Sequence, residues 1–175
     1  MNTPFGWRMT ALLAVAIALP LSAGAFAEEQ KCDDVCTFVR AALKEAPAGF
    51  VNLRGEPREG PPRQWEGKLK PSAKSDCAAF AYMYNCSFGT FQTMEAAEKE
   101  FRRLVESVQD MLAEGWTYED SGDDQMIVTF TATQKATGIS VMVEQTDLRE
   151  MQEGVDVGIT VSKVLCLEEC DAPQE

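Results

Sequence analysis

The sequence predicts an α+β fold in two layers: a mostly antiparallel sheet, covered on one face by two amphipathic helices and braced by disulfides. Three observations carry this: two stretches of helical period, three runs that alternate with period two, and six cysteines placed beyond an export leader. The expected element order is α, several β, α, three β.

The leader comes first in the chain. Arg8 supplies a positive n-region, Ala11 to Leu19 form an apolar run, and Ala25-Phe26-Ala27 has the small-residue pattern of a cleavage site. Residues 1–27 are therefore expected to be a cleaved secretory signal peptide, and residues 28–175 a single α+β domain. The apolar run is shorter than the roughly 20 residues a membrane-spanning helix needs, and no second such run follows, so no membrane anchor is expected in the mature chain. A soluble periplasmic or secreted protein is the expectation, in a compartment that oxidises thiols.

Cleavage removes Arg8 and no acid, leaving 15 basic against 28 acidic residues, or −13. A chain so acidic is repelled by phosphates and by anionic lipid, which argues against nucleic acid as a partner. One basic island interrupts this charge. Arg54, Arg58, Arg63, Lys68, Lys70 and Lys74 stand against Glu56, Glu59 and Glu66, among Gly55, Pro57, Gly60, Pro61 and Pro62. The glycines and prolines favour an extended or looped path, and Trp65 follows. Arg58, Arg63 and Trp65 are the candidate partner-binding residues, as a contact loop with an aromatic anchor. The plainer reading is a long hairpin connection with Trp65 in the core.

The first helix is read from Val35, Phe38, Val39, Ala42, Leu43 and Ala46, with Asp33 and Asp34 in its opening turn and Pro47 ending it. The second takes Thr93 as N-cap and Ala97, Phe101, Leu104, Val105, Val108, Met111 and Leu112 as its stripe, with Gly115 and Trp116 placed for a C-terminal cap. Between the helices, segments near 50–54, 64–69, 75–82 and 85–91 read as weaker strands. After the second helix, Met126, Val128, Phe130 and Ala132, then Ile139, Val141 and Val143, then Val155, Val157, Ile159 and Val161 define the apolar face of a three-stranded meander. Its other face carries Thr129, Thr131, Thr133, Ser140, Glu144, Asp156, Thr160 and Ser162. That polar face does not suit an enclosed apolar-ligand carrier, and it offers a surface for a protein or peptide. The two halves of the chain share no sequence repeat, only a loose similarity in element order.

Three structural disulfides are expected. With Cys32 and Cys36 both on one helix, their Cβ atoms align along the axis and do not meet in relaxed geometry, so each is expected to bond elsewhere. Two CxxxC segments dock if their spacings match, at about 6 Å for a helical turn. Antiparallel docking gives Cys32 with Cys170 and Cys36 with Cys166, and is preferred over the parallel pairing of Cys32 with Cys166 and Cys36 with Cys170. Loops that long would contribute on the order of 5 kcal/mol. Cys77 and Cys86 are expected to pair across a hairpin turning near Ala81 and Tyr82.

The chain has no His, which removes Ser-His and Cys-His nucleophile systems and imidazole metal ligands, and it contains no P-loop, Rossmann fingerprint, G-x-S-x-G or S-x-x-K. No metal and no cofactor is expected. The expected role is non-catalytic: an exported binding or accessory protein, of inhibitor or immunity type, that engages a protein partner. The alternative is a metal-handling protein for Cu(I) or Zn, with Met83 or Met142 as soft ligands, or a thiol-redox protein, in either case using the two CxxxC segments. A small carboxylate-dependent hydrolase ranks third. N-terminal sequencing of the exported protein should begin at Glu28; residues before Ala27 retained in that protein would refute the leader.

Overall fold

In the computed structural model, residues 32–112, 114–121, 126–151 and 153–163 are described. Helix α1 (Asp34–Glu45) starts where the Asp33 carboxylate accepts the Cys36 N–H at 2.8 Å, satisfying one of the orphan donors of its first turn. Val35, Phe38, Val39 and Ala42 bury one face. Pro47 follows in a short 3₁₀ turn, after which Gly49 and Phe50 both adopt left-handed backbone (φ 66° and 58°) and turn the chain back. A left-handed Phe costs free energy. Here the complete burial of its ring against Tyr84, centroids 6.0 Å apart, offsets that cost. Because of this turn Val51–Leu53 form a 3₁₀ turn rather than the expected strand, and β1 (Arg54–Arg58) begins after it.

β2 (Gln64–Gly67), β3 (Asp76–Ala79) and β4 (Met83–Phe91) complete the first meander. Helix α2 (Met94–Met111) is capped by Thr93, whose hydroxyl accepts the Ala96 N–H at 3.3 Å. It ends earlier than expected: Gly115 (φ 97°) turns the chain into a strand instead of capping the helix. That strand, β5 (Trp116–Ser121), was not foreseen, and it precedes the expected β6 (Ile127–Gln134), β7 (Ile139–Asp147) and β8 (Val155–Lys163).

All eight strands form one antiparallel sheet in the order β1-β2-β3-β4-β8-β7-β6-β5. The similarity in element order thus has a structural form: each half is a helix followed by a four-stranded meander, and the halves join where β4 pairs with β8. Both helices contribute to a single core with the inward-facing residues of the sheet, among them Tyr84, Cys86, Phe130, Val141, Val143, Val157, Ile159 and Val161. The helices also meet each other. Ser107 of α2 donates to the Asp33 carboxylate at 2.6 Å, and Arg103 approaches it to 3.7 Å. Partial burial pushes the Asp33 carboxyl up, but the Ser107 hydroxyl, the Cys36 N–H and the Arg103 charge together outweigh it and hold the group below the usual carboxylate range.

Two disulfides are present among the described residues. Cys77 and Cys86 face each other across β3 and β4 on the buried side of the sheet, and are bonded. The second is a correction. Cys32 and Cys36 are bonded to each other, with Cα atoms 5.3 Å apart, and not to Cys170 and Cys166. The two residues do not share one helix: α1 begins at Asp34 and its N-cap Asp33 has extended backbone (φ −75°, ψ −179°). Cys32 therefore lies off the helix axis and reaches back to the first turn. The former partners, Cys166 and Cys170, lie outside the described residues. Closing such short loops stabilises by about 2–3 kcal/mol each in the chain-entropy model, less than the long-range bridges first expected.

Tyr84 is the hub of the first half. It is fully buried between Phe38 and Phe50, both with ring centroids 6.0 Å away. Its hydroxyl donates to the Leu69 carbonyl (2.8 Å) and accepts from the Leu69 N–H (2.9 Å). Gly67 leaves room for it: a Cβ there would collide with the Tyr84 hydroxyl and stand 2.7 Å from the Cys77 Cβ. Burial pushes the Tyr84 phenol up to about 12. The native state therefore holds this proton more tightly than the unfolded chain, whose tyrosines titrate near about 10. Its stabilising effect is complete below that value and is lost as pH rises through about 12. Tyr84→Phe should cost about 1–3 kcal/mol near neutral pH, by leaving the Leu69 groups unpaired, and should flatten the alkaline loss of stability. Urea titrations of both proteins at stepped pH measure this; equally steep alkaline loss in the two would refute it.

Candidate functional site

The sheet has one covered and one open face. Strand alternation sends Tyr84, Cys86, Val143, Ile159 and Val161 toward the helices and sends Asn85, Ser87, Glu144, Thr160 and Ser162 the other way. Among the described residues no helix packs on that second face. Cross-strand registers line it with Ala78, Asn85, Thr160, Met142 and Thr131 in one row and Met83, Ser162, Ser140 and Thr133 in another.

Its polar groups are largely paired within the sheet. Asn85 donates to the Thr160 hydroxyl at 2.8 Å, Ser140 and Ser162 share a hydrogen bond of 2.7 Å, and Ser87 donates to Asp156 at 2.7 Å. Such pairs fix side-chain positions on a surface that still presents hydroxyls and methyls. Toward β1 the face dips into an open depression of about 350 Å³, bordered by Arg58, Gln64, Asp76, Asn85 and Ser87.

The structure divides the three residues singled out in the basic island. Arg58 lies on the open face, where it pairs with Asp76 and donates to the Cys77 carbonyl at 3.0 Å. Trp65 lies on the helix side, half-buried and packed against the core. Two guanidinium groups cover it: that of Arg54 is 4.0 Å from the ring centroid and that of Arg63 5.1 Å. Arg54 also donates to the Gly49 carbonyl at 2.9 Å, tying the aromatic to the turn after α1. Arg63 and Trp65 therefore come together, and Arg58 belongs to a different surface. Sequence reasoning missed the partner that Arg54 makes for Trp65; the signal available was Arg54 at the start of a strand paired to the one that holds Trp65.

The disulfide Cys32–Cys36 places both sulfurs at the start of α1 beside the Asp33 carboxylate. No group of three or more Cys, Asp or Glu positioned to hold a metal occurs among the described residues.

These features define the class of the protein: a disulfide-bonded α+β domain with helices on one side of an eight-stranded antiparallel sheet. Disulfides are bonds of an oxidising environment, and no helix of the described residues is long and apolar enough to cross a membrane. No family model, curated protein or solved structure matches the chain.

The division of the island makes unequal demands on its members. Trp65→Ala should destabilise the fold by about 2–3 kcal/mol through lost packing, whereas Arg58→Ala, which removes a solvent-exposed ion pair, should change it by less than about 1 kcal/mol. Equilibrium urea unfolding orders the two, and the reverse order would show that Trp65 is a surface anchor.

Proposed function

We propose that this chain is an exported, non-catalytic binding or accessory protein, of inhibitor or immunity type, that engages a protein partner. The observation that carries the reading is the sheet face left without a helix, a wide and well-ordered array of short polar side chains with Met142, Ala78 and Met83 among them. Antiparallel sheets are commonly solvated on one side, so the face is compatible with water as well as with a partner. Its favourable feature for binding is rigidity. Side chains already fixed by cross-strand hydrogen bonds lose little conformational entropy on docking.

Arg58 borders this face and is the member of the basic island that the reading retains. Export to the periplasm or beyond the cell follows from the leader signature and accords with the disulfides.

The test is affinity capture from the compartment into which the protein is exported, using the tagged mature chain and a variant with Thr131→Arg, Thr133→Arg and Met142→Arg. Circular dichroism should show both folded. A partner retained by the parent and lost at least about tenfold by the variant is the expected result, since three large charges placed at the centre of a contact are poorly accommodated. Equal retention by the two proteins would rule the open face out.

A further inference from the structure

The two edges of the sheet are built differently. β1 is shielded: its register with β2 breaks between Arg54 and Pro57, and Pro57 has no N–H to offer an incoming strand. β5 has no such device. It pairs with β6 over six consecutive residues without a bulge, contains no Pro, Gly, Lys or Arg, and is exposed from Thr117 to Ser121. Among the described residues no strand pairs with its far side. The backbone N–H and C=O groups on that side form a ready template for one more strand.

Charge selects the occupant. Glu119 and Asp120 are adjacent in β5, so one projects to the open face and the other to the helix side, and neither belongs to an ion pair among the described residues. A second copy of this chain is disfavoured. Antiparallel pairing of β5 with itself would bring these carboxylates close to their own counterparts, between two mature chains that each carry −13. Beside them, Tyr118 stacks on Phe130 with centroids 5.7 Å apart and remains 45% exposed, an aromatic platform at the rim of the core.

We propose that β5 accepts an added strand from an extended basic segment of a protein partner. Consecutive Lys or Arg residues lie opposite Glu119 and Asp120, and an apolar side chain lies on Tyr118. Main-chain hydrogen bonds give this contact its affinity, and the two carboxylates give it its selectivity. The inference rests on the protein-partner reading and specifies where, and by what chemistry, that partner is held.

The test uses the full mature chain with the peptide acetyl-Thr-Arg-Lys-Val-Thr-Val-amide and a counterpart in which both basic residues are replaced by Glu. Hydrogen exchange should show the β5 amides that face away from β6 slowed about tenfold or more by the basic peptide and unaffected by the acidic one. The variant with Glu119→Lys and Asp120→Lys should bind the basic peptide about tenfold more weakly and gain affinity for the acidic one. Both substituted side chains are exposed, and an unchanged thermal transition checks the fold. Unchanged β5 exchange, equal protection by the two peptides, or a dimer formed through β5 would each overturn the inference. Should the double variant still capture a protein partner that the open-face variant loses, the edge inference fails and the protein-partner reading stands. Should the basic peptide protect β5 while the exported fraction yields no protein partner, the edge stands and that reading fails.

Discussion

The pairing of β4 with β8 is the constraint on which the rest of the fold depends. Each half of the chain is a helix and a four-stranded meander, and within the sheet these two units touch nowhere else. At this seam Tyr84 lies opposite Val161 and Cys86 opposite Ile159, all fully buried. Fully burying an aliphatic side chain contributes about 1.5–3 kcal/mol, so the seam is held by core packing as well as by its ladder of hydrogen bonds. Gly158, opposite Ser87, sits where the register shifts; a Cβ there would come within 3.0 Å of the Cys86 carbonyl. Asp33 ties the helix layer above the seam. One carboxylate caps α1 and receives Ser107 from α2, so the start of the first helix is positioned by the second.

The same arrangement determines which surfaces remain. With both helices on one side, their apolar stripes and the inward alternation of the strands are used up in a single core. The opposite face is left to short hydroxyl and amide side chains that bond across strands, which lowers the cost of exposing so broad a sheet. The protein is thus asymmetric in two directions. Among the described residues its sheet has a covered and an uncovered face, and it also has a shielded edge and an unshielded one.

Much of this was legible in the sequence, and the failures share a cause. The helix stripes, the Thr93 cap and the inward positions of β6, β7 and β8 are local or periodic signals, and they were read correctly except at Met126, which precedes β6 and is 45% exposed. β5 was missed because Trp116–Ser121 is acidic and exposed, with an outward face on either side; it is a strand because β6 offers it a ladder, which is a tertiary fact. The Cys32–Cys36 bond turned on a single residue, the position at which α1 starts. The separation of Arg58 from Trp65 arose in the same way, since the bulge in β1 and the register of β2 decide which face each side chain takes. The candidate face itself was readable from alternation alone, and the depression beside Arg58 was not, because it requires Asp76 and Asn85 to be brought alongside from later strands.

Both described disulfides join residues that are close in sequence, four and nine positions apart. In each case the local backbone already brings the sulfurs together, through the start of a helix or a tight hairpin. Neither bond selects between distant pairings, and neither welds one half of the molecule to the other. The described disulfides therefore brace local neighbourhoods, and the joining of the two halves is left to the seam between β4 and β8.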